Sequence, residues 1–91
     1  MKLVWTDAAL ADVDDVLTFI GSNYPALATP LEERIRAVAA RIGKWPASAR
    51  MVEERSGVRV APLVRCPYKI FYRVVDDRVE ILHVHHASRR S

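Results

Sequence analysis

The chain has 91 residues, 51% of them hydrophobic and 27% charged, so it is too short for a second core and too apolar for a disordered tail. No apolar run approaches the roughly 20 residues that cross a bilayer, and the first residues lack the apolar stretch of a signal peptide. We therefore expect one domain over residues 1–91, located in the cytoplasm, with no membrane partner. The single cysteine, Cys66, excludes an internal disulfide.

The net charge of +3 is distributed unevenly along the chain. Residues 1–33 carry one base against six acids, whereas residues 34–58 and 59–91 each carry an excess of four bases. A basic C-terminal part favours an anionic partner, either a nucleic acid or an acidic protein segment. Basic residues on solvated strand faces also prevent the edge strands of two molecules from pairing. Any single basic residue can therefore have this structural role instead of binding a partner.

The N-terminal half predicts a strand followed by two helices. Residues 2–5 form a short apolar run, and Thr6 or Asp7 is suited to cap the helix that follows. Apolar residues then recur with helical spacing, at Leu10, Val13, Leu17 and Ile20 and again at Leu31, Ile35, Val38 and Ile42. Thr29 as N-cap and Pro30 as first helical residue mark the predicted start of the second helix. The short link between these segments predicts an antiparallel helical hairpin.

The C-terminal half predicts strands. Residues 45–57 are undecided between strand and loop, residues 58–64 form a predicted strand, and two β-rich runs flank Asp76-Asp77 as in a tight hairpin. The element order is therefore β-α-α-β-β-β. This order predicts an α+β domain in which the helical hairpin packs on one face of a small, largely antiparallel sheet.

A two-residue turn at Asp76-Asp77 predicts which residues share a sheet face. Tyr72 then faces Ile81, and Phe71 faces Leu82. The helix-bearing face holds Ile70, Tyr72, Val74, Val79 and Ile81, and the other face holds Lys69, Phe71, Arg73, Glu80, Leu82, Val84 and His86. On that second face, Phe71, Leu82 and Val84 form an apolar island that we expect a partner to cover. A register shift of one residue would exchange the two faces.

Three histidines lie near the end of the last strand. Alternation places His83 and His85 on the helix-bearing side, where a hydrogen-bonded role at the end of the core is expected. A metal site is not expected, because no further cysteine or carboxylate ligand is close in sequence. Asp12 is interpreted as surface charge on the first helix.

Three parts of the chain carry a recognisable pattern: Val4-Trp5-Thr6 with Ala9 and Asp12-Val13, then residues 68–74 of the hairpin, then residues 79–86 with the basic tail that follows. Together these segments resemble the RelE/ParE superfamily of toxins from type II toxin–antitoxin systems. This resemblance implies a toxin that requires no cofactor and is neutralised by a cognate antitoxin in a hetero-oligomer. The expected antitoxin-binding residues are Arg59, Lys69, Phe71, Arg73, Leu82 and Val84.

The superfamily has two branches with different activities. RelE-like members cleave messenger RNA on the ribosome, and that activity would assign catalysis to Lys69, His86 and Arg89. ParE-like members inhibit DNA gyrase and have no established catalytic site, and that activity would assign target contacts to His86, Arg89 and Arg90. The sequence is closer to the ParE branch, because Arg59 and the neutral Ala61 stand where nucleases have paired lysines and no Tyr follows the last strand. A third interpretation is a small basic nucleic-acid-binding domain.

Overall fold

The computed structural model describes residues 1–88, which form two α-helices and five strands. The elements are β1 (Lys2–Trp5), α1 (Asp7–Asn23), α2 (Ala28–Lys44), β2 (Arg50–Met51), β3 (Val58–Pro62), β4 (Tyr68–Val75) and β5 (Arg78–His86). A 3-10 turn over Pro25–Leu27 joins the two helices. Within residues 1–88, neither helix combines the length and the apolar character that a membrane span requires.

The strands form one mixed sheet in the order β1-β5-β4-β3-β2. β1 runs parallel to β5, and the other neighbours are antiparallel. Asp76 has a φ of 55°, a left-handed conformation that two-residue hairpin turns require and that Asp tolerates. The predicted α+β class and element order are confirmed, and the undecided stretch contributes the short strand β2.

Thr6 connects the start of α1 to the sheet. Its hydroxyl accepts from the backbone N–H of Ala9 at 3.2 Å and donates to the carbonyl of Ile81 at 2.7 Å. The predicted N-cap of α1 is therefore confirmed. The N-cap predicted at Thr29 is wrong, because the 3-10 turn continues directly into α2 and the helix begins at Ala28.

The main core lies between the helices and one sheet face. The predicted stripe of α2 is buried, with Leu31, Ile35, Val38 and Ile42 packed on residues of β4 and β5. Burying one such aliphatic side chain contributes about 1.5–3 kcal/mol. α1 is covered less well: Ala9 is fully buried, whereas Leu10, predicted to lie on the buried stripe, is 53% exposed.

A second, smaller cluster lies on the opposite face of the sheet. Val52, Val58, Val60 and Phe71 are all buried there, and the partly buried Leu82 packs against them. Both faces of the central strand β4 therefore carry apolar packing. This second cluster accounts for the alternating apolar residues of β3, which the helices do not cover.

Candidate functional site

A β-bulge in the C-terminal hairpin determines which side chains share a face. From Val75↔Arg78 to Tyr72↔Ile81 the pairing is the predicted one. The register then shifts by one residue, so that Phe71 pairs with His83 and Tyr68 with His86. The predicted pairs from Phe71–Leu82 onward are therefore wrong, because one extra residue of β5 is accommodated at this point.

The prediction that Phe71, Leu82 and Val84 form one exposed apolar island is also wrong. Phe71 is 1% exposed and lies in the second cluster, whereas Val84 is 2% exposed and lies in the main core. The bulge places these residues on opposite faces, and the β2–β3 region covers Phe71. Leu82 alone of the three is partly accessible. Antitoxin binding by this set stays a prediction without the exposed surface that motivated it.

The basic residues of the sheet are engaged with neighbouring groups. Arg59 donates to the carbonyl of Ala49 at 2.6 Å, and Arg73 donates to Glu80 at 2.8 Å. Hydrogen bonds from Arg73 and Arg78 hold the pKa of the Glu80 carboxyl below its ordinary value. The Lys69 ammonium lies 5.3 Å from the centre of the Phe71 ring. Of the strand bases, Arg73 and Arg78 share one carboxylate, whereas Arg59 and Lys69 contact uncharged groups and keep their positive charge.

The bulge separates the residues assigned to RNA cleavage. Lys69 pairs with His85 and shares the face of Phe71, whereas His86 pairs with Tyr68 on the helix-bearing face. The rings of Tyr68 and His86 are 5.4 Å apart, which confirms that they lie on the same side. Lys69 and His86 therefore cannot approach one phosphate from the same side of the sheet. Arg89 and Arg90 lie outside the described residues.

Asp12 joins α1 to the end of β5. Its Oδ2 atom accepts the backbone N–H of Val84 at 3.0 Å and lies 3.0 Å from Nδ1 of His83 and 3.5 Å from Nε2 of His85. The hydrogen-bonded role predicted for the histidines is confirmed for His83. Their predicted face is wrong, because the bulge moves both rings to the side of Phe71.

The interpretation of Asp12 as surface charge is wrong as well. β1 pairs with β5 only as far as Ile81. Beyond that point the Asp12 carboxylate accepts a hydrogen bond from the backbone of β5. The sequence held one usable signal, since Asp12-Val13 belongs to the segments that resemble the superfamily. Periodicity alone could not show that this carboxylate meets residues 71 and 72 positions later.

An apolar groove lies beside the end of α1. Phe19 and Tyr24 are each 56% exposed, although they are large and aromatic. The groove has a volume of about 630 Å³, and two arginines, Arg34 and Arg65, and one histidine, His86, are among its lining residues. Arg34 is fixed at the rim by a 2.6 Å hydrogen bond to the carbonyl of Val64. The helical spacing in the sequence did not reveal this groove.

Comparison with known proteins places the chain in a family. The family of the ParE toxin of the type II toxin–antitoxin system, parDE, matches residues 3–91. This chain belongs to the ParE toxin family. The predicted superfamily is thereby confirmed, and the ParE-family chain has the expected fold of two helices on a mixed sheet.

Individual relatives agree with this assignment over nearly their whole lengths. Toxin RelE2 of Caulobacter vibrioides is 32% identical over 88 residues, which are 97% of each chain. A second relative, from Sinorhizobium fredii, is 34% identical over 89 residues, or 98% of this chain and 91% of its own. The solved chromosomal ParDE TA system from P. aeruginosa contains a chain with 25% identity and a TM-score of 0.85, with 97% of each chain covered.

Proposed function

We propose that this ParE-family chain is the toxin of a cytoplasmic toxin–antitoxin pair and that it acts by binding DNA gyrase. Gyrase binding is favoured over RNA cleavage because Lys69 and His86 lie on opposite faces of the sheet. Cleavage through a 2′-hydroxyl needs a base and a cation at the same phosphate. A binding toxin needs no such convergence.

The charge distribution supports the same choice. Arg73 and Arg78 share the Glu80 carboxylate, which reduces their net attraction for an RNA backbone. The basic tail at Arg89 and Arg90 remains as a contact for the target. The name of the Caulobacter relative, toxin RelE2, keeps cleavage of messenger RNA on the ribosome as the alternative.

An antitoxin partner is supported by the groove and by the ParDE relative. Phe19 and Tyr24 present apolar surface that a folded monomer would otherwise bury. Arg34 and Arg65 beside it favour an antitoxin segment that is apolar on one side and acidic at its flanks. Such a segment would fold onto the toxin in a hetero-oligomer, as disordered segments do on binding.

The target is tested by adding the purified chain to relaxed plasmid with gyrase and, in parallel, to a translation reaction on a reporter messenger. We expect inhibited supercoiling that is reversed by the antitoxin, and an SOS-type response when the chain is expressed alone. Lys69→Ala and His86→Ala should each weaken the inhibition by degrees, as residues at the rim of an interface do. Codon-specific cleavage of the messenger, abolished by either substitution, would instead establish the nuclease.

A further inference from the structure

Three metal-ligating side chains from distant parts of the chain converge at the junction of α1 and β5. Asp12, His83 and His85 each offer a ligand atom, and these atoms lie within 4.8 Å of one another. His83 and His85 alternate along β5, so their rings lie on the same side with centres 4.7 Å apart. Asp12 approaches from α1, across the strand edge that β1 leaves open.

The spacing suits a tetrahedral ion. Zinc binds histidine nitrogen and carboxylate oxygen at roughly 2.0–2.2 Å, so neighbouring ligand atoms in a tetrahedron lie about 3.4 Å apart. The oxygen of Asp12 lies 3.0 Å from the nitrogen of His83 and 3.5 Å from that of His85. Both separations are close to the required edge, and the two imidazole nitrogens lie within 4.8 Å of each other.

The surroundings also fit a metal centre. The Val84 N–H donates to the Asp12 carboxylate and so fixes its orientation, as outer hydrogen bonds do for metal ligands. The three side chains are partly accessible, with 34% of His83, 22% of Asp12 and 11% of His85 exposed, so an ion can enter from solvent. A simple Asp–His hydrogen bond would involve one imidazole, whereas here nitrogens of two imidazoles lie within 3.5 Å of one carboxylate oxygen.

We propose that Asp12, His83 and His85 bind a zinc-class divalent ion. Two imidazoles and a carboxylate supply three ligands and leave one position for water or for a side chain of a bound partner. The ion would fasten α1 to the last strand, which otherwise meet here through hydrogen bonds and apolar packing. This proposal is independent of the cellular target of the toxin.

Cobalt(II) reports the site directly, because a tetrahedral cobalt centre absorbs visible light much more strongly than the hydrated ion. The full chain, purified without a polyhistidine tag and treated with chelator, is titrated with cobalt chloride and then with zinc chloride. We expect one ion per chain, a tetrahedral cobalt spectrum and its loss as zinc displaces cobalt. Zinc should also raise the midpoint temperature of unfolding, as any ligand of the native state does.

His86 provides the matched control, since it neighbours the cluster in sequence and lies on the other face of the sheet. Asp12→Asn keeps an acceptor for the Val84 N–H but removes the charged ligand, and His83→Ala removes a partly exposed ring. Each substitution should weaken cobalt binding at least about tenfold, because replacing even a residue that only hydrogen-bonds to a metal ligand lowers metal affinity by that much. His86→Ala should leave cobalt binding unchanged.

A wild-type spectrum identical to that of hydrated cobalt would overturn the proposal. So would equal binding by Asp12→Asn and His86→Ala. If Asp12→Asn does not fold by circular dichroism, the comparison of His83→Ala with His86→Ala decides in the same way.

Discussion

Tyr72 anchors the segment that follows α2. Its side chain is fully buried, and its hydroxyl donates to the carbonyl of Pro46 at 2.6 Å. Arg59 holds the same segment through the carbonyl of Ala49. Two side chains of adjacent strands thus position the loop after α2 and keep the rim of the main core closed.

Tyr72→Phe should lower the free energy of unfolding at neutral pH by about 1 kcal/mol, the usual net value of one hydrogen bond. Burial raises the pKa of the Tyr72 phenol above its ordinary value of 10.0, outweighing Arg59 and Arg41 nearby. Above pH 10 the unfolded chain releases this proton before the folded chain does, so the wild type loses stability there as the pH rises. Tyr72→Phe has no phenol to titrate and lacks this loss. The difference in the free energy of unfolding between wild type and variant should therefore become smaller as the pH rises above 10.

Urea unfolding at a series of pH values measures this effect. Tyr24→Phe is the control, because Tyr24 is exposed and should change the stability little. A constant difference between wild type and Tyr72→Phe from pH 7 to pH 11 would contradict the proposed linkage.

β5 illustrates how far local patterns specify an element. Near Asp76-Asp77 the turn and the alternation fix the register, and the pairs up to Tyr72–Ile81 were predictable. Beyond the bulge, the strand meets contacts from elsewhere, namely Asp12 at the Val84 amide and the packing of Phe71 against the β2–β3 region. Such contacts leave no mark in the local pattern, so the strand was predicted correctly and the faces of its second half were not.

The two helices also differ in how much of their packing could be predicted from the local sequence. The stripe of α2 was predictable, because its apolar residues face one core and polar residues cover the rest. α1 keeps apolar residues on more than one side, so its spacing could not distinguish side chains in the core from those in the groove. The groove is visible only when the exposed Phe19 and Tyr24 are located beside Arg34 and Arg65.

Replacing both Phe19 and Tyr24 by Ala should weaken antitoxin binding at least about tenfold, since truncating a central aromatic anchor usually costs more than 1 kcal/mol. Isothermal titration calorimetry with the cognate antitoxin measures the affinity. Trp45→Ala is the matched control, because Trp45 is 60% exposed and lies away from the groove. Unchanged affinity in the double variant, with Trp45→Ala also unaffected, would place the antitoxin elsewhere.

The whole molecule has a strongly asymmetric distribution of charge. The first 33 residues carry a net charge of −5, while the rest of the chain carries +8. Within the described part, the ion pairs Arg73–Glu80 and Arg36–Glu32 compensate individual positive charges locally. In the sequence, Arg89 and Arg90 add two further positive charges after the last strand.

Replacement of both Arg89 and Arg90 by Ala should change the free energy of unfolding by no more than about 0.5 kcal/mol each, because both follow the last strand of the fold in sequence. Toxicity should fall sharply if the tail contacts the target. Growth after induction without antitoxin, measured beside urea unfolding, separates the two effects. Full toxicity with unchanged stability would exclude the tail from the functional surface.

The double-sided packing of β4 has a consequence for the motions of the protein. Ile70, Phe71 and Tyr72 are consecutive and all buried, with neighbouring strands on both sides. Their amide hydrogens can reach solvent only when the sheet separates and both apolar clusters open together. Hydrogen exchange at these three amides should therefore be the slowest in the chain and should report global unfolding, while α1 opens and closes many times.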